Sequence, residues 1–155
     1  MTFTRIRDLA GLALVAALIS WLVIRQVYGD LPPFPAYVPV SLAVLAAAEF
    51  MLGWQLRSRI GRRPGTAPVQ PLVAARAVAL AKASSLVGAA AAGFWAGLLL
   101  YAIPNVDFLA AAAGDSRTGV IGVICAVALA AAGLWLEYSC RAPDQPGDDE
   151  PARPA

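Results

Sequence analysis

One carboxylate stands apart in this sequence. Glu49 lies in the middle of VPVSLAVLAAAEFMLGWQL, residues 38 to 56, a run with no other charged side chain. A carboxyl group at the centre of an apolar span is expensive unless it is protonated, paired or hydrogen bonded. Two roles fit it. It can be a proton- or solute-coupled carboxylate, or a hydrogen-bonded group that fixes helix register. Its helical neighbours at three and four residues are Leu45, Ala46, Leu52 and Gly53. The small Ala46 and Gly53 leave room for another helix, so Glu49 is expected to point into the helix assembly. Arg25 is separated from it by roughly 10 Å of depth on helix rise, and can reach it only by bending inward.

The second candidate is a cluster of cations. Arg57, Arg59, Arg62, Arg63, Arg76 and Lys82 make up half of the twelve Lys and Arg in the chain. Such a segment suits anionic lipid headgroups or an acidic partner surface. It does not suit nucleic acid, because the formal net charge is only +2 and no aromatic residues are interleaved for base stacking.

Other chemistry is sparse. There is no histidine, hence neither the commonest general base nor the commonest metal ligand. No phosphate-binding loop, dinucleotide fingerprint, HExxH or GxSxG occurs. Ser20, Ser41, Ser84 and Ser85 have no evident base, and an intramembrane serine commonly bonds a neighbouring helix. Asp30, Asp107 and Asp115 would serve a lipid-modifying enzyme, but they are scattered and lack a motif. Cys125 and Cys140 fall fifteen residues apart on one expected helix, over about 20 Å, too far for a disulfide. The reading is therefore no catalytic residue, no cofactor, no metal site and no enzyme.

The elements that position these residues follow from composition. The chain is 59% hydrophobic and 14% charged, against about 25% charged for an ordinary soluble domain. Four runs approach the roughly 20 apolar residues that cross a bilayer: about 9–27, 38–56, 83–103 and 119–139. The expected fold is an all-α integral membrane protein, a four-transmembrane-helix bundle within residues 1–140. Trp21, Trp54, Trp95, Tyr101, Trp135 and Tyr138 are expected near span ends, where aromatic rings favour the interface. A cleaved leader is disfavoured, because Trp21, Ile24 and Arg25 follow the first apolar run where small residues should stand. If the amino terminus is cytoplasmic, ten cations lie inside and only Arg25 and Arg117 outside. By the positive-inside rule both termini are then cytoplasmic. The basic cytoplasmic loop is 57–82. Its second half, from Pro71, is expected to be a helical extension of the third span. Residues 141–155 are expected to be a disordered acidic cytoplasmic tail. Glu137 is expected to pair with Lys82 or with Arg141.

Helix packing in lipid rests on small residues. Ser85, Ala89, Gly93 and Gly97 recur every fourth residue on the third span, as do Gly122, Ala126 and Ala130 on the fourth. The third and fourth helices are expected to pack tightly together. The GxxxG pair at Gly93 and Gly97 could equally serve self-association or a partner helix.

Several stretches carry a resemblance: RIRDL at the start, an LPP loop, GWQLRSR, RRPGTAPVQPLVAARAVALAKASSLVGA, WAGLLLY, and LWLEYSCRAP with the acidic tail. The chain resembles a family of small four-helix membrane proteins of high-GC Gram-positive bacteria, known as a domain of unknown function. The resemblance implies a plasma-membrane protein and transfers no catalytic residue. The expected function is a non-enzymatic accessory or scaffold protein whose basic loop meets anionic lipid or a partner. The alternative is a small oligomeric transporter, or transporter subunit, built around Glu49.

Overall fold

The computed structural model describes residues 5–30, 32, 34–35, 37–60, 71–109 and 111–140. It contains four long helices: α1 (Ile6–Val27), α2 (Val38–Ile60), α3 (Pro71–Ala102) and α4 (Ala112–Ser139). By length and composition all four can cross a membrane.

Their limits have local causes. Asp8 in the first turn of α1 faces the positive end of the helix dipole. Pro39 and Pro71 lie in the first turns of α2 and α3, where a missing N–H is harmless. Pro104 lies two residues beyond the end of α3, in a single 3-10 turn, Ile103–Asn105. Helix α4 starts two turns earlier than the apolar run at 119, taking in Asp115 and Arg117. The apolar window misses this part because it contains Gly114, Asp115, Ser116 and Arg117. Alanines 111–113 nevertheless favour helix.

The helices stand in the spatial order α1, α3, α4, α2, with α3 and α4 as the central antiparallel pair. Among the described residues no Cα of α1 lies within 8 Å of one in α2 or α4. The assembly is thus a row rather than a closed square bundle. Matching positions rise together between α1 and α3 (Ala13 by Gly93, Ala17 by Gly97) and between α2 and α4 (Ala46 by Leu129 and Ala132, Gly53 by Leu136). Each outer helix therefore runs parallel to its neighbour.

Buried positions in the central pair alternate by three and four residues. On α4 they are Ala112, Asp115, Gly119, Gly122, Ala126, Leu129, Gly133 and Leu136. On α3 the row runs Ala77, Ala81, Ser84, Gly88, half-buried Ala91, Trp95, Leu98 and Ala102. This 3.5-residue period keeps one seam of each helix facing its partner.

The expected close packing of α3 on α4 is present, but the four-residue rows divide between two partners. A step of four residues turns 40° around a helix with 3.6 residues per turn. From Ser85 to Gly97 the row therefore rotates by about 120°. Ser85 faces α4, where a Cβ on Gly133 would lie 2.9 Å from the Ser85 nitrogen. Gly93 and Gly97 instead face α1. A Cβ on Gly97 would lie 2.5 Å from the Ala17 carbonyl oxygen, and one on Gly93 would strike the Ala13 carbonyl. The α4 row also meets a mixed surface. Ala126 and Ala130 do lie against a small residue, Gly88, but Gly122 lies under the ring of Trp95. Trp95 is correspondingly a core residue, 3% exposed, and not an interfacial one. Ala89 is buried beside this junction.

Gly93→Leu should thus detach α1 selectively. The expected loss is about 1–3 kcal/mol, read as a lower unfolding midpoint in detergent. Gly11→Leu, where a Cβ meets nothing within 4 Å, should leave the midpoint unchanged.

Candidate functional site

Glu49 occupies the buried face of α2 formed by Pro39, Leu42, Ala46, Gly53 and Leu56, again spaced by three and four. It is 2% exposed. Ala46 packs with Leu129 and Ala132, and Gly53 admits the indole of Trp135, 3.0 Å from where its Cβ would be. α4 can therefore approach on both sides of the carboxyl group. From α3, the Ser84 hydroxyl donates a hydrogen bond to Glu49 Oε1. Among the described residues the second oxygen, Oε2, is buried without a hydrogen-bond partner. One half of the carboxyl group is thus held in place while the other half keeps its capacity to bind a proton or a donor. Arg25 does not complete the site: it is exposed, with its guanidinium carbon 5.7 Å from the Trp21 ring. The distance between the α1 and α2 backbones accounts for the separation.

A second polar centre lies at the opposite end of α2 from the cations. Asp115, 3% exposed, accepts the Tyr28 hydroxyl at 2.7 Å and the Phe34 backbone N–H at 3.0 Å. Thr118 Oγ1 donates to the Phe34 carbonyl at 3.4 Å. Tyr28 also packs on Tyr101, with ring centroids 5.0 Å apart. One buried carboxylate therefore ties the α1–α2 connection to the start of α4. Its acceptor sites face a hydroxyl and an amide, an arrangement that fixes a loop. In the sequence Asp115 resembles Asp30 and Asp107, an isolated acid outside any motif. Its signal was the helical alanine run and its place in the three-four row of α4; Tyr28 as its partner had none.

The cations gather at one end of the row, where α2 ends and α3 begins. Arg57 is exposed, and its guanidinium carbon lies 5.2 Å from the Trp135 ring and 5.5 Å from that of Tyr138. Arg59 lies in the last turn of α2. Arg76 is exposed and Lys82 half-buried on α3. Arg62 and Arg63 lie outside the described residues, as do Arg141 and the tail 141–155. Glu137, 5% exposed, is on the last turns of α4 at this same end. Cys125 and Cys140 are free thiols. Among the described residues no three His, Cys, Asp or Glu are grouped to hold a metal.

The family profile described as "Protein of unknown function (DUF3180)" matches residues 9–144. The chain belongs to the DUF3180 family. No curated protein and no solved structure matches it. The DUF3180 match spans all four helices and includes Glu49, Asp115 and the basic segment.

Glu49→Gln retains an acceptor for Ser84 and should preserve the fold. Glu49→Leu strands that hydroxyl and should destabilise by about 1–3 kcal/mol. Asp115→Ala should have a similar effect and, in hydrogen exchange on nanodisc-embedded protein, release the amides of 28–37. Protection there equal to wild type would refute the tie.

Proposed function

We propose that this protein is a non-enzymatic accessory or scaffold protein of the plasma membrane, with both termini cytoplasmic. Its basic loop meets anionic lipid or a membrane-protein partner. The observation that carries this reading is the convergence of the cationic ends of α2 and α3 at one membrane boundary, with Arg57 braced by two aromatic rings. Ten cations against two on the two sides support the orientation. The row supplies the second half of the role. Because the α1 and α2 backbones stay apart, each keeps a long apolar flank for lipid, for another membrane protein or for a second copy.

Neutralising Arg57, Arg59, Arg62 and Arg63 to Gln should abolish the adducts obtained by in-membrane photo-crosslinking from position 76. These are identified by mass spectrometry as anionic lipid or a specific protein. Adducts unchanged by the four substitutions would overturn the reading.

One observation favours a second reading, a small oligomeric transporter or transporter subunit. Glu49 Oε2 is a buried carboxylate oxygen with no hydrogen-bond partner among the described residues. Proton- or solute-driven flux in proteoliposomes, lost in Glu49→Gln while the fold persists, would select it.

A further inference from the structure

Beside the seam of α2 and α4 runs an apolar groove of about 460 Å³. Ala46 and Phe50 line it from α2, and Ala128, Ala131, Ala132 and Trp135 from α4. Alanine is what makes it a groove: the α4 wall projects only methyl groups until Trp135. There Phe50 and Trp135 stack, with centroids 5.8 Å apart and planes at 24°. The same Trp135 ring is the one beneath Arg57, 5.2 Å away. An apolar trough inside the membrane-crossing segments therefore leads directly to a cation at its boundary.

The dimensions match half a bilayer. From Ala46 to Arg57 is eleven residues of helix, roughly 16 Å, against a hydrocarbon core about 30 Å thick. Arg57 has no ion-pair partner among the described residues. Its two ring contacts restrict the side chain before any ligand arrives, which lowers the entropy lost on binding. A guanidinium binds phosphate oxygens through paired N–H groups.

We propose that Arg57 and the α2–α4 groove form a seat for one anionic phospholipid. The headgroup phosphate pairs with the Arg57 guanidinium, and one acyl chain lies along the alanines against Trp135. This rests on the preceding reading, which puts Arg57 at a membrane boundary, and deepens it by naming a lipid class and a single site.

The test is native mass spectrometry of the full chain in mild detergent, titrated with equal amounts of phosphatidylglycerol and phosphatidylcholine of the same acyl composition. Wild type should retain one phosphatidylglycerol in preference to phosphatidylcholine. Arg57→Gln should lower that preference about fivefold. Ala131→Phe, at an exposed position, should fill the groove and displace the retained lipid while circular dichroism shows unchanged helicity. The triple variant Arg62→Gln, Arg63→Gln, Arg76→Gln should leave the first phosphatidylglycerol bound. An unaltered preference in Arg57→Gln, or unaltered retention in Ala131→Phe, overturns the seat. So does a preference that disappears in the triple variant instead, but that result leaves the basic-loop function standing. Retained phosphatidylglycerol together with crosslinks from position 76 that ignore the four loop arginines supports the seat and sinks the broader reading.

Discussion

Helices in lipid gain nothing from hiding apolar surface against one another, so their association depends on how closely backbones approach. In this protein that approach is concentrated on α3, which is stripped of side-chain bulk on two sides. Gly93 and Gly97 bring the α1 backbone against it, and Gly88 brings α4. The α4 side reciprocates with Gly122 beneath Trp95 and Gly133 against Ser85. The position of α2, and with it Glu49, follows from α4. Were α3 to carry ordinary side chains at these points, the central pair would separate and Ser84 would no longer reach the carboxyl group.

Much of this is legible in the sequence. A membrane span announces itself by length and composition, and small residues flanking Glu49 on one helical face point it inward. The choice of partner for each small residue was not legible. Rows of four and the seam of 3.5 coincide over one or two turns and then diverge, so Ser85 and Gly97 look alike in sequence yet face different helices. Trp95 shows the complementary difficulty. A tryptophan in a span suggests an interface, and only Gly122 on another helix makes room for it in the core. Asp115 was obscured because polar residues end an apolar run without ending a helix.

The two buried carboxylates show how context sets the role of one functional group. Asp115 sits near a helix start, where its charge suits the dipole, and both of its oxygens have donors. Glu49 has one donor, and its other oxygen is enclosed. The first arrangement is that of a tie between connection and helix. The second leaves unused hydrogen-bonding capacity at the junction of the three helices α2, α3 and α4. The cations are held apart from both, at the boundary where α2 ends and α3 begins.

The order of helices in the row also bears on biogenesis. Helices α1 and α2 are made before α3 and α4, yet their backbones stay apart; α1 rests on α3, and α2 on α4. A hairpin of α1 and α2 therefore has no interface of its own when it leaves the ribosome. Ser84 follows Glu49 by 35 residues, roughly 2–7 s of translation at ordinary elongation rates. Throughout that interval the Glu49 carboxyl group is without the Ser84 hydroxyl that donates to it in the folded protein.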